Sequence, residues 1–504
     1  MPFLNDNNGE YAVDLRSAPG GGTRRCQLIW GDFLQDTGNR SGDYAEVRAR
    51  ARMGWIPTEC ISNDGLLEFY IIDVGQGDGV LVRTPDDHWH LIDAGVTNSR
   101  QMTGKGAANF IRWKFQKDLQ SPARLRNVIM SHPDFDHYGG MINLLSGDLE
   151  DGRAAFDVAV DNFYHGGMGR FDATAPLGTF VSGQVDPFPI GGFGIRRRDS
   201  YITELLDDHA SFSGPAHPFS TSFSDLADLV VHQTGNAQRL AILGDQLGWL
   251  PGYADADNVR GPQNTQLSVR LLGPILEEAT DENGNRHIGM RRLRSDSKTR
   301  NGHSVILRFD YGNARILMTG DLNEESQRLL MSYLPPAEFE ADVVKGCHHG
   351  SEDVHLGFLE AMAGRSTVIS SGDNEDYAHP RPSIIGASSY YGRPSLSADG
   401  DFLPPLLYST ELARSVKLTR VERVRVDHDE DPDTRMRSYP RDRAQVQPRN
   451  ARYRDFSNTP VATDLVYGLV NVRTDGQHIM CATLEERGNE FDIKVFQAGV
   501  APQQ

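Results

Sequence analysis

The segment SHPDFDHYGG, residues 131–140, constrains the fold and the chemistry of this chain more than any other. It places His132, Asp134, Asp136 and His137 at H-x-D-x-D-H spacing, directly after the apolar run RNVIM. So many charged or titratable side chains at one strand end are costly to pack unless a cation neutralises them. The pattern therefore predicts a metal site at the carboxyl end of a β-strand. An acidic turn with two capping aspartates is the alternative interpretation.

Three later segments also place polar residues at the ends of apolar strands. Asp321 ends the run that closes in MTGD, His348 and His349 follow ADVVKGC, and His379 lies just beyond STVISSGD. Open α/β sheets gather their sites at the carboxyl ends of strands. We therefore group these four residues with the first cluster.

Residues 1–62 differ from the rest of the chain. RCQLIWGDFLQ and YAEVRARARMGWIP read as short alternating or aromatic strands, divided by the turn-rich DTGNRSGD. They resemble a small all-β SH3-like barrel, with Trp30–Asp32 (WGD) and Gly54–Trp55 at the places such modules use. The simpler interpretation is that the two tryptophans fill a small core. If the module binds anything, a protein or peptide partner is expected.

Residues 66–504 read as one layered α/β domain in two halves. From Leu66 the order is strand, strand, helix, strand, and a second apolar series begins near residue 300. Insertions are expected at about 145–300 and 385–460. The first reads as active-site loops plus a few strands. The closing segment reads as paired strands with a turn at Asp475 and Gly476.

The charge balance narrows the class of function. The 504 residues include 51 Lys and Arg against 69 Asp and Glu, a net charge of −18, which argues against a general nucleic-acid coat or an anionic-membrane binder. Four dispersed cysteines indicate neither a disulfide framework nor a cysteine zinc site. The start lacks a signal-peptide pattern and no apolar run could span a bilayer, so a soluble, cytoplasmic protein without membrane insertion is expected. The cysteines are Cys26, Cys60, Cys347 and Cys481.

The ordered motifs resemble the metallo-β-lactamase-fold hydrolases of bacteria and other organisms. The resemblance is stronger to the branch that contains the nuclease domain of the competence DNA-uptake channel and phosphorylcholine esterase. It implies a four-layered αβ/βα sandwich with two divalent metal ions, Zn²⁺ or Mn²⁺, in the cleft between the sheets. The matching segments are DVGQGD (73–78), LIDAG (91–95), SHPDFDHYGG (131–140), NGHSVIL (301–307), TGD (319–321), HHGS (348–351), N-x-x-Y-x-H-P (374–380) and, as a closing strand, VRTDG (472–476).

The resemblance also implies a set of metal ligands. His132 and Asp134 would bind one ion, and Asp136 and His137 the other, with Asp321 bridging the two. His348 would complete the first site and His379 the second. Asp93 matches a strand-end aspartate that braces the ligand loop, and Asp73 and Asp78 are expected to orient neighbouring loops in the same way.

Two departures from the family pattern bear on the metal. Most members have a histidine in a third motif. His165 and His303 are the candidates for it in this chain, but both fit poorly. The default interpretation is that each is a polar loop histidine. Asp134 stands where the wider superfamily has histidine, a change that the branch shares. A carboxylate makes the site harder and shifts its preference from Zn²⁺ toward Mn²⁺ without excluding zinc.

Four further residues are candidates for the site. Cys347 is a soft ligand or, more commonly, a buried thiol. His349 binds metal, contacts substrate or protonates a leaving group. Lys345 and Tyr377 are expected to contact an anionic substrate, with a solvated lysine and a packed tyrosine as the alternatives.

The reaction that follows is hydrolysis. Two divalent ions ~3.5–4 Å apart hold a bridging hydroxide and polarise a phosphoryl or carbonyl oxygen. Asp136 or Asp321 is the expected proton acceptor.

Basic clusters at 196–198, at 291–294 with Lys298 and Arg300, and at 435–454 favour a phosphodiester, unless these arginines are solvated or paired with acids. A nuclease or phosphodiesterase acting on DNA, or on a smaller phosphodiester, is the leading hypothesis. An esterase or thioesterase on the same site is the second. A partner-binding scaffold with a vestigial metal site is the third.

Overall fold

The protein is described by a computed structural model. It covers residues 2–101, 106–186, 189, 195–372, 379–410, 423–426, 452–455, 468–484 and 490–499. The chain divides into two compact units, Met1–Ala413 with Val466–Gln504, and Arg414–Leu465. Within the second unit the structure describes an antiparallel hairpin of backbone only.

The N-terminal segment is all-β, as the sequence predicts. Five strands form an antiparallel sheet in the order β3-β2-β6-β5-β4, and β1 pairs with β7. Leu15, Leu28, Val47 and Ile56 fill a small core of its own. The likeness to an SH3 barrel stays a prediction. The strands are β1 Phe3–Leu4, β2 Ala12–Ala18, β3 Gly21–Ile29, β4 Gln35–Ser41, β5 Tyr44–Ala49, β6 Arg52–Pro57 and β7 Ile61–Ser62.

The first half of the layered domain has three strands before its first helix, because the segment predicted as its first strand, LEFYIIDVGQGDGVLV, forms two strands separated by the DVGQGD turn. Five strands alternate with two helices, and a π-helical segment, Trp113–Leu119, extends the first helix. The elements are β8 Leu67–Ile71, β9 Gly79–Arg83, β10 Trp89–Ala94, α1 Ala107–Arg112, β11 Ala123–Met130, α2 Phe135–Ser146 and β12 Val158–His165.

The insertion at about 145–300 holds more regular structure than a set of loops. Strands β13, β14, β20, β19 and β16 form a five-stranded sheet, and α4 covers the outside of the first large sheet. The elements are β13 Phe180–Val185, β14 Arg198–Ile202, α3 His209–Ser213, α4 Thr221–Gln233, β15 Ala237–Arg239, β16 Ile242–Leu243, β17 Gly248–Trp249, β18 Leu267–Gly273, β19 Ile275–Thr280, β20 Arg286–Arg291 and α5 Asp296–Gly302.

The second half repeats the alternation of strand and helix and ends in an antiparallel meander. Its elements are β21 Ile306–Tyr311, β22 Ala314–Met318, α6 Glu324–Tyr333, β23 Val343–Lys345, α7 Leu356–Met362, β24 Ser366–Ile369, α8 Pro382–Tyr391, β25 Ser395–Leu396, β26 Phe402–Leu403, β27 Leu406–Ser409, β28 Arg423–Val426, β29 Arg452–Asp455, β30 Val470–Thr474, β31 His478–Leu484 and β32 Phe491–Gln497. In the described part of the chain, no helix has the length and apolar character that crossing a membrane requires.

Two large sheets face each other and form the core. One has nine strands in the order β15-β12-β11-β10-β9-β8-β30-β31-β32, and the other has seven in the order β17-β18-β21-β22-β23-β24-β27. The rings of Phe69 and Phe309 meet between them at 5.0 Å. Helices α1, α2 and α4 pack on the outside of the first sheet, and α6 and α7 pack beside the second. The arrangement confirms the predicted four-layered αβ/βα sandwich.

The N-terminal sheet packs against the meander through a buried contact. Trp30 lies with Leu66 and Met480 in one apolar cluster, and Arg473 donates to the Trp30 carbonyl oxygen at 2.6 Å. The same guanidinium lies 2.9 Å from the carboxylate of Asp32. The WGD segment is therefore part of a core, as in the simpler interpretation of its tryptophan.

Parallel pairing brings the polar strand ends to one edge of each sheet. Strands β10 and β11 run parallel, and so do β22, β23 and β24. Their carboxyl ends lead directly to Asp93, His132, Asp321 and His349. The cleft between the two sheets therefore receives side chains from both halves of the chain.

Candidate metal centre

The β11–α2 junction supplies three of the predicted residues. His132 follows the strand, and Asp136 and His137 lie in the first turn of α2, which begins at Phe135. A Cβ at Gly140 would lie 2.1 Å from the carbonyl oxygen of Ala94, so only glycine lets the helix approach β10 this closely. Close approach fixes the start of the helix, and with it the imidazole of His137, at the cleft.

Asp321 and His349 meet this junction from the second sheet. Oδ2 of Asp321 lies 3.2 Å from Nε2 of His137 and 3.1 Å from Nε2 of His349. His349 Nε2 is also 3.7 Å from Oδ2 of Asp136. The rings of His132 and His137 are 4.0 Å apart. Five side chains from three different segments thus converge on one small volume, which we call the His/Asp cluster.

Several polar atoms of the His/Asp cluster make no hydrogen bond with any described residue. They are Nε2 of His132, His137 and His349, and Oδ1 of Asp321, all of them buried. Buried polar atoms nearly always have a partner, and an unpaired one costs about 1–3 kcal/mol. Imidazole nitrogens and carboxylate oxygens pointing at one another are the donor set of a divalent cation such as Zn²⁺ or Mn²⁺. The residues present therefore fit the metal that the fold implies.

Asp93 and Asp78 orient the two central imidazoles. Nδ1 of His137 lies 2.8 Å from Oδ2 of Asp93, which also accepts from the Ser131 hydroxyl at 2.6 Å. Nδ1 of His349 lies 2.9 Å from the Ser370 carbonyl oxygen and 3.3 Å from Oδ1 of Asp78. Holding Nδ1 in this way turns Nε2 toward the cluster.

Two further residues surround the cluster: Asp73 accepts a backbone hydrogen bond, and Lys345 places a positive charge next to the carboxylates. Asp73 accepts from the amide of Gly75 in the turn before Asp78. The Lys345 ammonium contacts the carboxylate of Asp78, lies 3.6 Å from Asp321 and donates to the Gly320 carbonyl oxygen at 2.9 Å. Its side chain is only 3% exposed, so the neighbours of Lys345 are carboxylates rather than solvent.

The electrostatics of the cluster are those of tightly paired groups. Burial opposes the charged form, but Asp321 together with Asp93 raises the pKa of His137 well above 6.5. Burial also opposes the charged form of His349, but Asp321 and Asp78 together raise the pKa of His349 well above 6.5. The pKa of Asp321 is held well below its usual range despite burial, because His349 and His137 face it. The pKa of His132 falls to about 3 through burial and the neighbouring His137.

Asp134 is placed differently from the other residues of its motif. Oδ1 accepts from Nε of Arg300 at 2.8 Å and from Arg170 at 2.9 Å. The Asn301 amide, in the orientation that satisfies its hydrogen bonds, donates to Oδ2 at 2.9 Å. Asp134 occupies the N-cap position of α2 without a side-chain capping bond, so the acidic-turn interpretation does not describe it.

His348 and His379 lie beside the cluster. Nε2 of His348 is 3.7 Å from Oδ2 of Asp321, and the side chain is 28% exposed. The His379 ring is 5.8 Å from that of His348 and 6.5 Å from that of His349. Both histidines of the HHGS turn have positive φ, 45° and 53°, which is strained for non-glycine residues and typical of functional sites. Tyr377 lies outside the described residues.

Comparisons with known proteins agree with this geometry. Residues 72–146, which contain the whole β11–α2 junction, match the model of the metallo-beta-lactamase superfamily. The chain contains a metallo-β-lactamase domain. ComE operon protein 3 of Bacillus subtilis is 31% identical over 91 residues, 18% of this chain and 12% of that protein. Competence protein ComA of Neisseria gonorrhoeae is 33% identical over 100 residues, 20% of this chain and 14% of that protein.

The matched segment is thus a small part of each curated relative, and one of the two, ComA, is named a competence protein. A solved structure, that of Tm1679, is a metal-dependent hydrolase of the beta-lactamase superfamily. It is 11% identical with a TM-score of 0.31 and covers 68% of this chain and 95% of its own.

Three other candidates lie outside the groups of possible ligands found among the described residues of the metallo-β-lactamase domain. His303 Nε2 lies 2.7 Å from the Arg291 carbonyl oxygen, and His165 Nδ1 accepts from the Gly167 amide at 3.1 Å. Burial raises the pKa of the Cys347 thiol to about 11, which keeps it protonated and a poor ligand.

Of the two arginines on Asp134, the sequence indicates Arg300 as part of a basic cluster but does not indicate its contact with Asp134. Arg170 had no signal, since it stands alone in an irregular stretch. For Arg300, the position directly before the NGHS motif is the signal that could have placed it near the cluster.

Proposed function

We propose that this chain is a divalent-metal-dependent phosphodiesterase that cleaves DNA. The observation that carries the proposal is the set of buried Nε2 and carboxylate atoms of the His/Asp cluster, which face one another without hydrogen-bond partners among the described residues. Metal-dependent hydrolysis is the chemistry of the superfamily to which the domain belongs.

Two ions, bridged by Asp321, are the proposed complement of the cluster. Asp136, His137 and His349 would hold one, because these three offer ligand atoms within reach of one another. His132 and His348 would hold the other, since His132 also groups with His137 and Asp321. This assignment uses His349 where the sequence motif suggested His379, because His349 is the histidine that lies against Asp136 and Asp321.

When bound, the ions supply an activated water nucleophile and polarise the phosphoryl group. Asp136 is the proposed acceptor of the nucleophile's proton, because its carboxylate is one-quarter exposed while that of Asp321 is 3% exposed. Lys345 keeps Asp78 and Asp321 ionised and in place.

A groove lined by arginines lies where two of the basic segments meet. The clusters at 196–198 and 291–294, far apart in sequence, come together because β14 pairs with β20. They line a cavity of about 640 Å³ together with α6. Four of its five arginines are paired with acids: Arg291 with Glu277, Arg292 with Asp296, Arg294 with Glu325 and Arg328 with Glu324. The alternative of arginines paired with acids therefore applies to most of this groove. The charged residues are Arg196, Arg291, Arg292, Arg294 and Arg328 with Asp199, Glu324 and Glu325.

The third basic cluster, 435–454, does not contribute to this argument. Its first five arginines lie outside the described residues, and Arg452 and Arg454 belong to β29, for which only the backbone is described.

DNA is proposed as the polymer because the motifs resemble the competence branch and one curated relative, ComA, is named a competence protein. An esterase would need no guanidinium groups next to the metal ligands. A scaffold would have no use for a complete ligand set with its orienting carboxylates.

A protein partner of the N-terminal module is a separate proposal. Trp55, Tyr44 and Pro57, all partly exposed, line a groove of about 430 Å³ with the acidic residues Glu10 and Asp14. Asp14 is paired with Arg16, which lines the same groove, so the aromatic residues are what suits a peptide ligand. A pull-down with and without Trp55→Ala would test it, and an unchanged set of partners would argue against it.

The enzymatic proposal is tested by incubating purified protein with Mn²⁺ or Zn²⁺ and single-stranded DNA, double-stranded DNA, RNA or bis-p-nitrophenyl phosphate. We expect metal-dependent cleavage of DNA and of the small diester, and none after Asp321→Asn. Cleavage of bis-p-nitrophenyl phosphate alone would replace the nuclease by a small-substrate phosphodiesterase. Hydrolysis of p-nitrophenyl acetate alone would favour the esterase.

A further inference from the structure

Asp134 holds two guanidinium groups beside the His/Asp cluster. Arg170 comes from the stretch between β12 and β13, and Arg300 comes from α5, yet both contact the same oxygen, Oδ1. With the Asn301 amide on Oδ2, both carboxylate oxygens accept hydrogen bonds from the protein. A carboxylate with these hydrogen bonds holds the cationic side chains of the protein in place, and few of its lone pairs remain to bind a metal ion.

The anchored arginines keep most of their donors. A guanidinium has five N–H groups, and among the described residues Arg170 and Arg300 each form one charge-assisted contact, the one to Asp134. Arg170 is 34% exposed and Arg300 11%. Both therefore present donors to the side away from Asp134.

The pair is next to the proposed ligands. Asp134 is two residues from His132 and two from Asp136. A terminal amide atom of Asn301, the neighbour of Arg300, lies 3.3 Å from Nε2 of His348. A group bound between the metal ligands and Asp134 is thus within reach of both guanidiniums.

The local charge balance matches one kind of ligand. Two guanidiniums and one carboxylate leave +1, which one phosphodiester anion neutralises. Guanidinium N–H groups suit phosphate oxygens, with which they form bidentate pairs. A neutral ester would leave a cation unpaired.

We propose that Asp134 is a positioning residue, which aims Arg170 and Arg300 at the non-bridging oxygens of the phosphodiester, and that it is not a metal ligand. This rests on the proposed function for the identity of the substrate, but the binding of phosphate by the arginine pair can be tested separately. It also gives a reason for aspartate at a position where the wider superfamily has histidine: an imidazole could not hold two cations.

The first test compares Arg170→Gln and Arg300→Gln with wild type. A matched control is Arg124→Gln, since Arg124 is also paired with one aspartate, Asp161, but begins β11 at the end opposite His132. On bis-p-nitrophenyl phosphate we expect each variant of the pair to lose about tenfold or more in kcat/KM, mostly through KM. On p-nitrophenyl acetate, we expect kcat/KM of the two variants to change by less than about twofold. For the control variant, we expect the same small change on both substrates. Equal losses on both substrates, or no loss on the diester, would overturn the proposal.

The second test uses inorganic phosphate and needs no turnover. Calorimetric titration of the metal-loaded protein should give phosphate affinity about tenfold weaker in Arg170→Gln and Arg300→Gln than in wild type or in Arg124→Gln. Unchanged affinity would overturn the arginine pair. If wild type hydrolyses no phosphodiester, the proposed function fails, whereas this titration still decides whether the arginines bind phosphate.

The third test concerns Asp134 itself. Asp134→Asn keeps the shape and one acceptor oxygen but removes the charge. We expect its metal content to equal that of wild type, whereas His137→Ala should lose metal. Loss of metal in Asp134→Asn as complete as in His137→Ala would make Asp134 a ligand and overturn its role as an anchor.

Discussion

Nε2 of His349 and Oδ2 of Asp321 lie 3.1 Å apart, although 27 residues separate them in sequence, counted as 349 − 321 − 1. The contact exists because β22 and β23 run parallel and end at the same edge of the sheet. It selects His349, rather than its neighbours, as the histidine of the second half that belongs with Asp136 and His137.

His349→Ala should therefore lose most of its bound metal, because it removes a ligand atom and frees Asp321 and Asp78 to repel each other. His379→Ala should lose less, since its ring is 6.5 Å from that of His349. Metal content measured by mass spectrometry after dialysis checks this, with the half-exposed His88→Ala as a control. Equal metal loss in the His349 and His379 variants would show that both ligate.

Metal affinity should fall as pH falls. The pKa values of His137 and His349 are raised above 6.5 by Asp321, so near neutral pH both carry a proton that the ion has to displace. At pH values below these raised pKa values, lowering the pH by one unit should raise log Kd for the metal by about two, because two protons are released on binding. Titrations of Mn²⁺ in buffers of different ionisation enthalpy count these protons. No proton release would contradict the pairing.

The metal-free protein should show the opposite dependence in its stability. A raised histidine pKa stabilises the fold below the unfolded value of 6.5, and this contribution is lost as pH rises through the folded pKa. In denaturant unfolding of the metal-free protein, the contribution of these histidines to the free energy of unfolding should decrease as the pH is raised from 6 upward. His137→Gln should remove part of that slope, and an unchanged slope would exclude His137 as its origin.

Gly77 tests whether the DVGQGD turn supports the metal centre. A Cβ at this position would lie 1.6 Å from the Asp136 carbonyl oxygen, and its φ is +98°. Gly77→Ala should displace the start of α2 and weaken metal binding by about tenfold or more, as for other residues that support ligands. Gly284→Ala is the matched control, because its φ is +84° but nothing lies within 4 Å. Equal metal affinity in both variants would show that the turn does not position Asp136.

The buried pair of Asp32 and Arg473 tests whether the N-terminal sheet is part of the folded body. Asp32→Asn should lower the free energy of unfolding by about 3–5 kcal/mol, because it leaves a buried guanidinium without its partner. Asp36→Asn, which breaks the exposed pair with Arg40 in the same sheet, should cost about 1 kcal/mol or less. Similar small effects of the two substitutions on denaturant unfolding would mean that the N-terminal sheet contributes little to the stability of the domain.

The sequence predicts the layered fold well because its signals are local. Apolar strands that end in SHPDFDH, TGD and HHGS identify both halves and the edge at which they meet. Residues His132, Asp136, His137 and Asp321 lie together, and Nδ1 of His137 is 2.8 Å from Oδ2 of Asp93.

What the sequence does not determine depends on contacts between distant segments. Which histidine of HHGS turns inward depends on two residues in left-handed backbone, and no propensity marks them. The burial of Lys345 depends on Asp78, which comes from the other sheet. The arginines on Asp134 come from an insertion whose strands pair only in three dimensions.

The most direct test of the metal centre is anomalous scattering from crystals of the protein soaked in Mn²⁺ or Zn²⁺. We expect two peaks about 3.5–4 Å apart, with Asp321 between them and Nε2 of His137 and His349 about 2.0–2.2 Å from one of them. Asp134 should remain paired with Arg170 and Arg300. Saturating metal with no peak inside the His/Asp cluster would contradict the assignment of this site as a metallohydrolase centre.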